Sequence, residues 1–458
     1  MSTPKREPAG APRRSRLAMI LGLSAAAAVL LFSAIGISLL LSAWRVREEI
    51  DKIRSEGQPV TAAEIDSHYS LPPGSRDNTD LWLAAIEAVS RDEYKADSAA
   101  IPLLSDANGE LPEPSEPWPN QAAAEQFLAK HGDLLATVRE AASAGGAARY
   151  PTQFPYNNST TLKPFRGSQT ICRLLRLESE VHARQGDAHV AAVAIDTLLA
   201  LAKSFDGEPM LVAVLVRISI DDVALDCLRR LMATHELSDG DLAAIGSRLN
   251  AIDYHAHLRQ ALLGARVTCM KTFDHPETLA GAAPSKAVSM FFGLEDRAVY
   301  LRLMHDVVAA SAASDPISWQ SAMEDTQKRI RATFESPSAN WKYPIAKHLL
   351  QSMRPWSTAV GRGTALRDVA NTALAAERFR RARGRLPHAL DDLAPNFLPR
   401  VPLDPFDGAP LRWVVTDDDY RIYSIGQDGV DQGGASDEPA PAHDIVFRVP
   451  LRKKATTP

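Results

Sequence analysis

Apolar and polar positions fall into three regimes along this chain. In the first, residues 17–44 run for 28 positions without a charge, as LAMILGLSAAAAVLLFSAIGISLLLSAW. At about 1.5 Å per residue such a helix reaches roughly 42 Å, enough to cross a hydrocarbon core of about 30 Å. A cleaved signal peptide would have an apolar region of about 7–15 residues and a small-residue cleavage site. Nothing after Ser42-Ala43 resembles A-x-A, so the segment reads as an uncleaved transmembrane anchor, with Trp44 at the interface. Residues 1–16 hold Lys5, Arg6, Arg13, Arg14 and Arg16 against Glu7, a charge of +4. Beyond the span, Arg45, Arg47, Lys52 and Arg54 alternate with Glu48, Glu49, Asp51 and Glu56. This asymmetry keeps 1–16 in the cytoplasm as a basic tail and exports residues 45–458.

The second regime has helical period. An entry region, 45–120, begins as a polar continuation to about Ser55 and ends it at Gly57 and Pro59. It contains a loop at Pro72-Pro73-Gly74, a short helix over 80–90, and a proline-rich stretch over 101–120 that reads as an exposed loop. A helical domain, 121–362, follows. Ile171, Leu174, Leu175, Leu177 and Val181 trace one face, and Gly186-Asp187 supplies a C-terminal glycine followed by an N-cap aspartate. Val190, Val193, Ala194, Leu198 and Leu201 mark the next helix. Pro209 opens another to about Thr234, and Ser238 with Asp241 is a capping-box candidate. Antiparallel helices stacked in pairs, like units of an α-solenoid, satisfy this pattern. More helix is expected over 286–313, 317–334 and 339–353.

The third regime, 363–450, begins with a helix over 364–383 that stops at Gly384. It then alternates in strands over 411–415, 420–424 and 445–449, and a tail, 451–458, follows. A small antiparallel sheet packed on the preceding helix is expected. The predicted fold class is therefore mostly α: an N-terminal transmembrane helix, a solenoid-like helical body and a small C-terminal α+β module.

Charge and candidate chemistry narrow the function. The net charge is −5, so the chain outside the basic tail carries −9, which argues against a nucleic-acid partner. Cys172, Cys227 and Cys269 cannot build a disulfide framework or a zinc cluster and read as small buried hydrophobes. His255 and His257, at i,i+2 on a helix, do not share a face and read as polar surface. His235-Glu236 does not continue to HExxH, and no GxSxG or phosphate-binding glycine loop occurs. Glu178 and Glu180 beside Arg173, Arg176 and Arg184 read as helix-face ion pairs. Asn157 and Asn158 begin N-x-[ST] sequons, but the Ala/Arg-rich composition makes them loop residues of a bacterial chain rather than glycan acceptors. In Asp404-Pro405-Phe406-Asp407-Gly408 the phenyl ring is expected to plug the core of the sheet.

The C-terminal order is helix, G-x-L-P, L-P-x-x-P-x-D-P-F-x-G, strand, I-Y-S-x-G-x-D-G, glycine-rich loop, D-I. It resembles the soluble part of type II secretion major pseudopilins over about 80 residues. In that family the loop after the last turn binds calcium, and the matching positions are Asp428 and Asp444. The chain departs from the family in lacking a prepilin signal and in placing a helical domain between anchor and sheet. The residues themselves allow two readings. Asp428, Asp431 and Asp444 approach one another if the 425–445 loop folds back, and hard cations take such carboxylate and carbonyl oxygens. The same residues also suit a solvated acidic turn. No catalytic or cofactor-binding residue stands out. The expectation is a single-pass bacterial inner-membrane protein with a periplasmic structural or interaction role, beside a secretion or pilus-like machine and with protein partners. The alternative is an envelope-material hydrolase using carboxylates.

Overall fold

The computed structural model describes residues 13–71, 73–105, 111–151, 163–279, 286–313, 315–351, 354–435 and 443–451. Helix α1 (Arg13–Ser55) is one unbroken helix, and its stretch from Met19 to Ser55 is long and apolar enough to cross a membrane. Almost every side chain from Met19 to Leu41 is exposed, whereas Ser42, Val46 and Ile53 are buried against the body. The polar continuation expected after the span is therefore the same helix. Its end is tied down by Arg266, whose guanidinium donates to Gln58 Oε1 and Pro59 O, both at 2.8 Å.

Short helices follow: α2 (Ala62–His68), α3 (Thr79–Val89), α4 (Asp92–Ser98), α5 (Pro102–Ser105), α6 (Gln121–Lys130) and α7 (Gly132–Ser143). The Thr61 hydroxyl and the Glu64 carboxylate close a capping box on α2. Ile101, Leu103 and Leu104 are buried around α5. The start of the proline-rich stretch is thus a helical turn plugging the core rather than an exposed loop. The helical stretch that opens the 121–362 domain divides at His131-Gly132 into α6 and α7.

The body is built on α8 (Lys163–Gln185), α9 (Ala188–Lys203) and α10 (Leu211–Thr234), each packed on the other two. Gly186 takes a left-handed φ of 88° between α8 and α9, the geometry that favours glycine there. α11 (Asp239–Asn250) starts at Ser238, whose hydroxyl accepts from Asp241 N at 3.0 Å. α12 (Tyr254–Asp274) crosses the turn before α10 so closely that a Cβ at Gly264 would overlap the carbonyl of Pro209. α13 (Lys286–Ala310), α14 (Pro316–Phe334), α15 (Ala339–Lys342) and α16 (Pro344–Gln351) complete the layer beside α1, with Pro344 separating the last two.

α17 (Arg354–Arg383) runs across position 363, with Val369, Ala370, Ala373, Leu374 and Ala376 all buried. It packs on α10, α11 and α12 and also on the sheet. β1 (Arg412–Val415), β2 (Asp419–Ser424) and β3 (Ile445–Pro450) form an antiparallel sheet in the order β1-β2-β3. The register pairs Trp413 with Ile422 and Ile422 with Phe447. Period-2 alternation sends Tyr420 and Ile422 toward α17, where the Tyr420 hydroxyl donates to Glu377 Oε1 at 2.7 Å.

Candidate functional site

The centre of the C-terminal module is a buried carboxylate. Asp404 is fully buried and accepts from four donors. Its Oδ1 takes Phe406 N at 3.0 Å and Ser424 Oγ at 2.8 Å, and its Oδ2 takes Ile425 N at 2.9 Å and Arg412 Nη1 at 2.7 Å. One side chain thus joins the D-P-F-D-G turn to the end of β2 and the start of the glycine loop. Phe406 does not plug the core. It is half-buried and lies over Gly361 of α17, and the polar hub takes the central place. A charged residue in a proline-rich turn gives no local sign that it will be buried, because its partners lie 2 to 21 residues away.

The three expected ion ligands sit on one loop in different surroundings. Asp428 is exposed, with Oδ1 accepting from Val430 N at 3.0 Å and Oδ2 from Gln432 Nε2 at 2.9 Å. Asp431 is exposed and accepts from the Tyr423 hydroxyl at 3.1 Å and from Gly433 N at 2.8 Å, with Arg412 Nε at 3.5 Å. Asp444 is buried, and its Oδ2 accepts from Gly434 N at 2.7 Å and Gln432 N at 3.1 Å. Its Oδ1 is buried without a hydrogen-bond partner. Burial raises the Asp444 carboxyl above its ordinary range, and the nearby Asp431 and Asp428 charges add to this. The loop closes on Gly426 (φ 67°), where a Cβ would strike the His443 carbonyl. Among the described residues, no group of three or more His, Cys, Asp or Glu side chains is arranged to hold an ion.

The body offers two kinds of interior. Between α12, α13, α14, α16 and α17 lies an apolar cleft of about 360 Å³, lined by Leu258, Leu262, Ile330, Phe334 and Trp356 and rimmed by Gln327 and Arg331. Five separate elements contribute to it, so no contiguous pattern could announce it. Elsewhere the buried charges are already engaged. Glu180 accepts from Arg184 Nε at 2.6 Å and from Arg230 Nε and Nη2, each at 3.0 Å. Arg217 pairs with Asp206, and its Nε lies 3.3 Å from Asp221, which accepts from the Tyr254 hydroxyl at 2.8 Å. Glu178 pairs with Arg139, yet burial still pushes its carboxyl up to about 7. Glu180–Arg184 is the expected i,i+4 pair along one helix, though buried, whereas Glu178 pairs off its helix with Arg139.

The two histidines also leave the expected polar surface. His257 is buried with neither ring nitrogen hydrogen-bonded, and burial beside Arg217 depresses its pKa to about 3. His255 is half-buried, with its ring 4.6 Å from that of Trp319. Cys172 and Cys227 are buried free thiols, and Cys269 is half-buried. Asn157 and Asn158 lie outside the described residues. No protein-family model, no curated protein and no solved structure matches the chain.

Proposed function

We propose that this chain is a single-pass anchored protein of the bacterial inner membrane whose body, displayed on the periplasmic side, serves structural or interaction duties. The stacked α8–α11 helices are then a short solenoid, and the C-terminal helix and sheet a module of the pseudopilin type beside secretion or pilus-like machinery. The observation that carries this reading is the continuity of α1. One helix is bare over its apolar half and packed into the body over its polar half, so the body is mounted rigidly at the membrane surface. The apolar cleft, with its polar rim, supports a binding role over hydrolysis, because Glu335 is the one carboxylate among the described residues that line it.

Two experiments test it. Alkaline phosphatase fused after Pro458 should be active, whereas fluorescence from a reporter that matures only in the cytoplasm would overturn the topology. A photo-crosslinking residue at Gln327, on the cleft rim, should capture a protein adduct in intact membranes that the same residue at Lys95 does not. Equal or absent capture at both positions would overturn the interaction role of the cleft.

We also propose that the glycine loop takes calcium, with Asp444 as the primary ligand and Asp428 and Asp431 completing it. The free, buried Oδ1 of Asp444 supports this, since an unpaired buried carboxylate oxygen is costly unless something neutralises it. Asp428 and Asp431 would have to exchange their present amide and hydroxyl donors for the ion.

A further inference from the structure

The contact between α1 and α13 begins inside the apolar span. Arg45 Nη1 lies 3.7 Å from Glu295, and Glu56 lies 3.3 Å from His305 Nε2. Both pairs advance together along the chain, so the two helices run parallel. The first residues of α13 therefore point back along the uncharged part of α1 rather than away from it. Burial on α1 agrees: Ile35, Gly36, Leu39 and Ala43 are part-covered and Ser42 is buried, all on one helical face within 17–44.

The covering segment is itself apolar. Residues 288–294 of α13 read VSMFFGL, and the first charge after them is Glu295. Met290 is 65% exposed and Phe291 41%, while Phe292 packs edge-to-face on Trp341 with ring centroids 4.9 Å apart. Trp341, in α15, is 51% exposed. Outside α1, Phe291 and Trp341 are the exposed aromatic side chains among the described residues. Directly behind them lies a charged layer. Glu295 faces Arg45, accepts from the Tyr343 hydroxyl at 3.2 Å and pairs with Lys342 Nζ at 2.8 Å. An apolar wedge under a ring of Arg, Lys, Tyr and Trp is the arrangement that suits a membrane interface. Seven helical residues span about 10 Å, close to the depth of about 5–10 Å at which interfacial helices sit.

We infer that residues 288–294 of α13, together with Trp341, insert into the leaflet from which the body projects and form a second, monotopic membrane contact beside α1. This rests on the reading that α1 spans the bilayer. The occupant is lipid because the exposed face is continuous with the bare face of α1. A soluble partner would meet the same surface only by displacing lipid from the anchor.

The test uses the full chain reconstituted at one copy per lipid nanodisc, with nitroxide labels at Leu41→Cys, Met290→Cys and Lys328→Cys in separate samples. Wild type carried through the labelling measures the background from its own cysteines. Collision with oxygen and with a water-soluble nickel chelate is then compared. The label at 290 should match that at 41, with at least a severalfold preference for oxygen over nickel, while 328 shows the reverse. Adding Phe291→Glu and Trp341→Glu should raise nickel access at 290 with the helical circular dichroism unchanged. If 290 behaves like 328 while 41 keeps its membrane signature, the insertion is wrong and the anchor stands. If 290 is shielded from both reagents, protein covers the surface and the insertion is equally wrong. If 41 also collides with nickel, the anchor reading falls and takes the insertion with it.

Discussion

Where α8, α9 and α10 meet, the fully buried side chains include Leu174, Leu198 and Leu228, which carry no polar atom to satisfy. Where β2 meets the D-P-F-D-G turn, the fully buried side chain is Asp404, ringed by four donors. The first region gains from removing apolar surface from water, a non-directional term that tolerates volume-conserving exchange. The second gains little net energy per hydrogen bond but loses heavily when one partner goes, because the others are left buried and unsatisfied. The body should therefore fail through shape and the module through stoichiometry.

The largest expected effect is on shape. Gly264→Val places a branched side chain against Pro209 O and Pro209 Cβ, where neither backbone can retreat, so it should cost above about 4 kcal/mol and abolish the cooperative loss of helical ellipticity on heating. Next comes Asp404→Ala, which should cost about 3 kcal/mol within the module. It should remove the near-ultraviolet signal of Trp413, whose ring lies 5.0 Å from Tyr420, while leaving the far-ultraviolet helix signal intact. Joint loss of both signals would show that the two regions do not separate.

A smaller effect sharpens the comparison inside the body, at a place where a charge has been drawn into the apolar region. Burial raises Glu178 to about 7 in the folded chain from an ordinary value near 4.5. Between those values the folded state holds more protons than the unfolded, so stability conferred at this site rises as pH falls. Wild type should thus gain on Glu178→Gln by on the order of 1–3 kcal/mol between pH 8 and pH 5, read as the difference in thermal midpoints. The depressed His257 works in the opposite direction below its ordinary range, but it is common to both proteins and cancels in the difference. A constant difference across that range would place Glu178 in contact with water.

The smallest effect belongs to the glycine loop. Millimolar calcium should raise the midpoint of the full chain by an amount on the order of 1 kcal/mol, and Asp444→Asn should erase the increment. An unmoved midpoint in wild type would leave the loop as an acidic turn.

The long apolar helix and the strands were legible because their signals are local. Twenty-eight uncharged residues admit few other structures, and the alternation through Tyr420, Ile422 and Ser424 sets the inward face whatever packs on it. The division at His131-Gly132 and the break at Pro344 were also written in the chain, but as single residues inside longer apolar periods. What periodicity does not carry is the fate of one polar residue. His257 is buried where α12 packs on α10, near Arg217, and Asp404 because three backbone or hydroxyl donors and an arginine converge there. The candidate ligands Asp428, Asp431 and Asp444 all fall between β2 and β3 in the chain. Their unequal burial depends on how Gln432 and Gly434 fold back onto Asp444.

α1 has a mechanical consequence. Between Arg13 and Ser55 it contains no break, and its far end is clamped through Arg266 and α13. Transmembrane helices commonly lean by about 20° and change their lean with bilayer thickness. A flexible linker would absorb such a change, but a continuous shaft transmits it. Under the proposed reading, in which residues 17–44 lie in lipid, the attitude of the whole body, and the direction in which its cleft and sheet face along the membrane plane, is then set by that lipid.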